Sequence, residues 1–170
     1  DHSGYEQARK LYNGMIDKHP AIILKCASVA DVVRGVNFAR ERHMDLAIRS
    51  GGHSGAGLGS VEDGLVLDLS LLKKMDINPQ TGTAVVEAGN TLKEIDAATH
   101  VHGMALPSGI IGTTGIGGLT LGGGIGYLSR KGGLSIDNLL EAQVVLASGE
   151  VVTASEQNHP DLFWALRGGG

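Results

Sequence analysis

The residues best able to do chemistry form the short run Arg49-Ser50-Gly51-Gly52-His53-Ser54, in which two glycines precede a histidine. Adjacent glycines leave backbone N–H groups open and permit positive φ, so a bulky anion can lie directly against the main chain. His53 supplies the reactive side chain at the tip of the loop. The run predicts an anion-binding loop with an imidazole beside it, although a tight turn with a surface histidine explains the same residues.

A second glycine-rich segment runs from Gly109 to Gly126, and half of its residues are glycine. Isoleucine and leucine are interleaved with these glycines, and few of the Ser, Pro or charged residues of a linker are present. This composition predicts a buried loop that wraps a ligand. Thr113 and Thr114 offer hydroxyls there, and the backbone from Gly112 to Gly118 offers N–H groups, for phosphate and ring oxygens.

Together the two loops resemble the FAD-binding domain of the vanillyl-alcohol oxidase and berberine bridge enzyme-like (PCMH-type) family of FAD-linked oxidases. In that family an R-x-G-G-H motif is followed by a glycine loop of this kind. The resemblance implies that FAD lies between two small lobes and that His53 is bonded covalently to the 8α carbon of the flavin. It also implies an oxidoreductase that takes a hydride from an alcohol, sugar or similar small-molecule donor and passes electrons to oxygen or another acceptor.

The resemblance also predicts which residues bind the cofactor. Arg49 has two open interpretations, a position near the pyrophosphate or a structural salt bridge. Close packing of strands is the alternative for each single glycine, and Tyr127 fits a place near the flavin or in the core. The predicted FAD-binding residues are Arg49, Ser50, Gly51, Gly52, His53, Ser54, Gly112, Thr113, Thr114, Gly117, Gly118, Gly122, Gly126 and Val152.

A second covalent bond to the flavin is not expected. Many members of the family carry a flavin-linked cysteine in a segment like G-V-C-P-T-V-G-x-G-G, and Ile111 stands at the cysteine position here. Cys26, the one cysteine of the chain, lies in a strand-to-helix connection far from that motif. The resemblance therefore implies a single bond, through His53.

Composition limits the partners. The chain has 170 residues, of which 42% are hydrophobic and 19% charged, as expected of a globular protein. A net charge of −4 without a basic block argues against nucleic acid or a membrane as partner. No H-E-x-x-H or C-x-x-C motif suggests a metal. One cysteine implies no oxidising compartment, so a cytoplasmic location is favoured, while the start at Asp1 leaves an upstream targeting segment open.

Apolar periodicity and capping signals predict the elements that hold the loops. Their mixed order predicts an α+β fold of two small α/β lobes, residues 1–75 and 76–170. A doubly wound Rossmann sheet is disfavoured because no strict G-x-G-x-x-G occurs. The predicted strands are 21–25, 46–49, 64–69, 84–88, 141–146 and 151–153, the last two as a hairpin, and the predicted helices start at the Ser28–Asp31 cap, at the Thr91–Glu94 cap and at Asn158.

The final residues resemble the family run W-A-x-R-G-G-G-G, which leads into a large substrate domain. The chain is therefore interpreted as a fragment whose catalytic base and substrate pocket lie elsewhere. Two other functions stay open, a stand-alone FAD-binding module without turnover and a reductase on the same fold that holds FAD without a covalent histidine. The donor is not identified, because specificity depends on a pocket rather than on a fold.

Overall fold

The computed structural model describes residues 3–168 and shows a mixture of short helices and small sheets. Among these residues no helix combines the length and the apolarity needed to cross a membrane. In chain order the elements are α1 (Tyr5–Ala8), β1 (Ile22–Lys25), α2 (Val29–Glu41), β2 (Leu46–Arg49), β3 (Leu65–Asp68), β4 (Met75–Asn78), β5 (Thr83–Val86), α3 (Leu92–His100), α4 (Ile116–Leu121), α5 (Ser129–Gly132), a 3₁₀ turn (Ser135–Asn138), β6 (Glu141–Val145), β7 (Val151–Ser155) and α6 (Pro160–Leu166).

The first half of the chain forms a parallel sheet with strand order β1-β3-β2. Helix α2 crosses from β1 to β2 and starts at Ser28, whose side chain accepts a hydrogen bond from the N–H of Asp31. Gly35 lets this helix approach the sheet closely, since a Cβ there would lie 2.4 Å from Leu67 Cδ2. The core between helix and sheet includes the fully buried Leu67 and Cys26.

The second half has antiparallel pairs, β4 with β5 and β6 with β7. Helix α3 begins at a capping box in which the Glu94 carboxylate accepts from the N–H of Thr91 at 2.7 Å. Helices α3 and α4 contribute a second core cluster, formed by Leu92, Ile95 and Ile116.

The β6–β7 hairpin lies against helix α2, and Arg40 of that helix donates to the carbonyl of Ala147 at 3.1 Å. Val145 of β6 packs against the core of the first half. The division of the chain into two lobes near residue 75 therefore stays a prediction. The β6–β7 hairpin of the second predicted lobe contacts helix α2 of the first.

The mixed α+β class is confirmed, and most predicted elements are present. Strand β2 has the predicted bounds, and α3 begins at the predicted Thr91 cap. Strand β4 was not among the individually predicted strands. The second glycine segment also differs from a simple loop, because it contains the short helix α4.

Candidate functional site

Three parallel strands end side by side at Lys25, Arg49 and Asp68, which are paired in register. In open α/β sheets ligands bind beyond the carboxyl ends of the strands, which is the edge from which the His53 loop leaves. Nη2 of Arg49 donates to Oδ2 of Asp68 at 2.8 Å, and both residues are only 6% exposed. Arg49 thus forms a structural salt bridge, one of its two predicted roles. The Nη1 atom of Arg49, however, is buried without an acceptor among residues 3–168.

The Asp68 carboxylate holds this cation in place. Burial alone raises the pKa of Asp68, but hydrogen bonds from Ser70 and then Arg49 outweigh burial and hold the pKa below its ordinary value. The N–H of Ser70 donates to Oδ1 of Asp68 at 2.9 Å. A cavity of about 440 Å³ opens beside the pair, and Lys10 and Lys25 also line it. The base of the His53 loop is therefore rigid and carries excess positive charge.

The two glycine loops touch through their backbones. A Cβ on Gly51 would lie 2.2 Å from the nitrogen of Gly115, and a Cβ on Gly115 would lie equally close to the nitrogen of Gly51. The hydroxyl of Ser50 donates to the carbonyl of Ala88, which joins the same junction to the end of β5. Since any side chain at Gly51 or Gly115 would overlap backbone atoms, this approach requires glycine at both positions.

The imidazole of His53 lies where the two loops meet. Its Nε2 is 3.0 Å from the hydroxyl of Thr113, and its Nδ1 is 3.3 Å from the hydroxyl of Thr114. Burial lowers the pKa of His53 below its ordinary value, and a weaker contact with the backbone of Thr113 acts in the opposite direction. The ring is therefore mainly neutral at pH 7 and keeps a lone pair on one nitrogen.

Several backbone N–H groups of the loop have no hydrogen-bond acceptor among the described residues. The N–H groups of Gly51, Gly52, His53 and Ser54 donate to no acceptor within residues 3–168. Gly52 has φ of 70°, in the region that glycine occupies without strain. Consecutive open amides of this kind, next to a cation, fit a phosphate group. The residues present therefore fit the pyrophosphate of a dinucleotide such as FAD.

Gly117 and Gly118 lie in the first turn of α4 rather than in an irregular loop. Neither glycine has positive φ. A Cβ on Gly117 would lie 3.3 Å from the Cβ of Ala88, whereas a Cβ on Gly118 would meet nothing within 4 Å. Gly117 is therefore limited by packing, and Gly118 faces open space.

Three predicted residues lie outside this junction. Gly122 caps the end of α4, and Gly126 packs so closely that a Cβ there would lie 1.7 Å from the carbonyl oxygen of Ser108. Val152 is buried in β7, where it pairs with Val144. Contacts of these three residues with FAD stay a prediction.

Ile111 and Cys26 occupy different environments. Ile111 is 45% exposed, near Thr113 in the second loop. Cys26 is fully buried in the core between α2 and the sheet, and burial, followed by Asp31 and Asp68, raises the pKa of its thiol to about 11. A thiol in that state is a poor nucleophile. Among residues 3–168 no group of three or more His, Cys, Asp or Glu side chains is placed to hold a metal ion.

One residue at the site was missed from the sequence. The ring of Tyr12 stacks on the ring of His53 with centroids 4.0 Å apart and planes 17° apart. No motif or periodicity connects a tyrosine in the N-terminal segment with the R-x-G-G-H run.

Comparison with known proteins identifies the family. A family model described as FAD binding domain matches residues 20–155. The chain belongs to the berberine bridge enzyme-like, PCMH-type family of FAD-linked oxidases. This FAD-binding domain is 39% identical over its whole length to the uncharacterized FAD-linked oxidoreductase YgaK of Bacillus subtilis, and it covers 39% of that protein.

Solved structures of the family superpose closely on this domain. The match to 6-hydroxy-D-nicotine oxidase from Arthrobacter nicotinovorans has a TM-score of 0.96 at 34% identity, and it covers 99% of this chain and 37% of that one. The match to glucooligosaccharide oxidase from Acremonium strictum, whose FAD is 6-S-cysteinyl and 8α-N1-histidyl linked, has a TM-score of 0.90 at 31% identity, covering 100% and 36%. The domain thus spans less than two fifths of the length of these relatives.

Proposed function

We propose that this domain holds FAD across its two glycine loops, covalently through His53, in an oxidase that takes a hydride from an alcohol, a sugar or a similar donor. Bound FAD would supply the hydride acceptor, while the protein supplies position and electrostatics. Oxygen or another acceptor would then take the electrons. Family members that oxidise 6-hydroxy-D-nicotine and glucooligosaccharides support this class of reaction.

One observation carries the covalent part of the proposal. The imidazole of His53 lies at the junction of both loops, between two hydroxyls, with its pKa lowered by burial. Attachment requires a neutral imidazole, because the protonated ring has no free lone pair with which to bond to carbon. The environment of His53 therefore favours the reactive form at neutral pH.

The attachment step balances as a two-electron oxidation. The link would replace one C–H bond of the 8α carbon and the N–H bond of His53 by one C–N bond. The two protons and two electrons set free would pass to oxygen. His53 is then a tether that also withdraws electron density from the ring, which favours hydride acceptance.

The other residues of the site have binding roles in this proposal. The open amides of the His53 loop, with Arg49 beneath them, would bind the pyrophosphate. Thr113 and Thr114 would orient the imidazole and bind cofactor oxygens. With Ile111 at the cysteine position, a single bond is expected, unlike the doubly linked FAD of glucooligosaccharide oxidase. A cytoplasmic location, favoured by the single cysteine, belongs to the same proposal.

The test compares wild type, His53→Ala and His102→Ala in the full-length protein. His102 is an exposed histidine in the turn after α3 and serves as the matched control. After acid precipitation, the pellets of wild type and His102→Ala should stay yellow, whereas His53→Ala should release its flavin to the supernatant. Equal release from wild type and His53→Ala would overturn the histidyl link.

Turnover separates oxidase function from the two alternatives. Reduction of the flavin by an alcohol or sugar donor, followed by reoxidation in air, supports the oxidase. A full-length protein that binds FAD but is reduced by no donor would be a binding module. A flavin that is not covalently bound and is reduced by a reduced nicotinamide cofactor would favour the reductase.

A further inference from the structure

The segment Leu11–Lys18, here called the strap, lies beside the His53 loop. The strap runs along the His53 loop and contacts it through backbone, side-chain and ring interactions. The N–H of Tyr12 donates to the carbonyl of Gly52 at 3.1 Å, and the side-chain amide of Asn13 donates to the carbonyl of Gly55 at 2.9 Å. These contacts tie both sides of the turn that carries His53 to one outside segment.

The far end of the strap is attached in the same way. The ammonium group of Lys18 donates to the carbonyls of Gly57 and Ser60, at 3.1 and 3.0 Å. Ile16 packs over Gly57, so that a Cβ on this glycine would lie 2.8 Å from Ile16 Cγ2. The strap thus restrains a loop whose glycine content gives it high conformational entropy.

Tyr12 acts directly on the reactive ring. Its side chain is 66% exposed, so it contributes little to the core, and yet its ring is stacked on His53. A face-to-face neighbour fixes the plane of the imidazole, while hydroxyls at both nitrogens fix its rotation within that plane. Restraints from two segments of the chain therefore leave the ring a single orientation.

We propose that Tyr12 is a positioning residue for covalent attachment of the cofactor, holding the His53 imidazole in the orientation from which it bonds to the flavin. This inference rests on the proposed histidyl link. Holding a nucleophile in a reactive orientation accelerates bond formation without needing to strengthen reversible binding. The role predicts a change in the rate of attachment rather than in FAD affinity.

The experiment follows attachment in the full-length protein, produced as apoprotein in a riboflavin-starved host and then mixed with FAD. Samples are denatured at intervals, and covalent flavin is read as fluorescence of the protein band on a denaturing gel. The variants are Tyr12→Leu, Tyr12→Phe, the strap control Met15→Ala and the link control His53→Ala. Met15 is 90% exposed and is a neighbour of Tyr12 in the strap. Rapid-mixing titration gives the reversible FAD affinity, and a thermal scan gives the melting temperature.

We expect Tyr12→Leu to slow attachment about five- to tenfold, the effect of losing one aromatic stacking pair. Its FAD affinity and melting temperature should match wild type. Tyr12→Phe should restore the rate because it keeps the ring, and Met15→Ala should behave as wild type.

The possible results distinguish the positioning role of Tyr12 from the histidyl link. Attachment as fast in Tyr12→Leu as in wild type, with none in His53→Ala, would overturn the positioning role and leave the histidyl link intact. A rate in Tyr12→Phe as low as in Tyr12→Leu would overturn the role of stacking. If Tyr12→Leu lowered both the FAD affinity and the melting temperature, Tyr12 would have a structural role and not a positioning role. Covalent flavin in His53→Ala, or none in wild type, would overturn the link and the inference together.

Discussion

The two glycine-rich loops of this domain have similar compositions but are held in opposite ways. The His53 loop has few hydrogen bonds of its own, among them Gly57 N–H to Ser54 O at 3.1 Å, and it depends on the strap. The second loop folds partly on itself, forming α4, and its residues 112–114 are hydrogen-bonded to the first turn of helix α3. There the N–H groups of Leu92 and Lys93 donate to the carbonyls of Thr114 and Gly112 at 3.0 and 2.9 Å.

The difference separates two uses of glycine. In the second loop and at the junction, glycines allow backbones to touch, as at Gly115 and Gly126. In the His53 loop, Gly55 meets nothing within 4 Å, and the neighbouring amides stay open. The second loop is therefore closely packed against its surroundings. The His53 loop is restrained by the strap but less closely packed, and it carries the imidazole and the amides without acceptors. Substitutions that add a methyl group distinguish these uses.

Gly51→Ala should have the largest effect, because its Cβ would lie 2.2 Å from the backbone nitrogen of Gly115. Overlap with backbone cannot be relieved by a side-chain rotation, so we expect a loss of about 3 kcal/mol in unfolding free energy. Denaturant unfolding measures it. Gly55→Ala, in the same loop but in open space, is the control and should change stability little. Equal stabilities would mean that the loops do not touch in solution.

Gly117→Val should weaken FAD binding by about 2 kcal/mol, roughly thirtyfold in dissociation constant. The added side chain would crowd Ala88 and Ser50 and push α4 away from the His53 loop. Flavin fluorescence titration checks the affinity. Gly118→Ala serves as the control for helix α4. Because it adds a methyl group in open space, its apoprotein should be as stable as wild type, and a selective loss of FAD affinity would show that FAD occupies that space.

Thr113→Val should slow covalent attachment about fivefold, because one hydroxyl partner of the His53 ring is lost at a cost of about 1 kcal/mol. The rate is measured as covalent flavin fluorescence over time. Thr153→Val, on the exposed side of β7, is the matched control and should react like wild type. An unchanged rate in Thr113→Val would mean that the second loop does not orient the imidazole.

The smallest effect on stability is expected at Glu94, in the first turn of helix α3, to which the second loop is hydrogen-bonded. The Lys73 ammonium and then the Thr91 N–H lower the pKa of Glu94 from 4.5 to about 2. A carboxylate with a depressed folded pKa stabilises the fold above pH 4.5, and this contribution is lost as the pH falls toward 2. Glu94 is 42% exposed, so solvent screening limits the contribution to less than about 1 kcal/mol.

Glu94→Gln tests this contribution, because the amide can still accept from Thr91 but does not titrate. Denaturant unfolding at several pH values should show wild type more stable than the variant at pH 6. The difference should shrink between pH 4.5 and 2. A constant difference over this range would assign the effect to lost packing rather than to charge.

Several elements were predictable because their causes are local. Ser28 and Thr91 cap helices through residues three positions along the chain, and the apolar run at 46–49 forms a strand with the predicted bounds. Strand β4 was missed because Met75–Asn78 is short and half polar, and its pairing partner stabilises it. Helix α4 was missed because two of its residues are glycines, and its tertiary contacts outweigh their low helix propensity.

The sequence by itself determined the two glycine loops and the histidine at the tip of the first, since glycine and histidine are identified directly by residue type. Only the tertiary structure decided what surrounds that histidine. Thr113 lies 60 residues from His53, and Tyr12 belongs to a segment that no motif joins to the loop. Such contacts depend on how β2, the strap and the second loop pack at one edge of the sheet. Packing of distant segments has no signature in local spacing, because it is fixed by the shape of the whole fold.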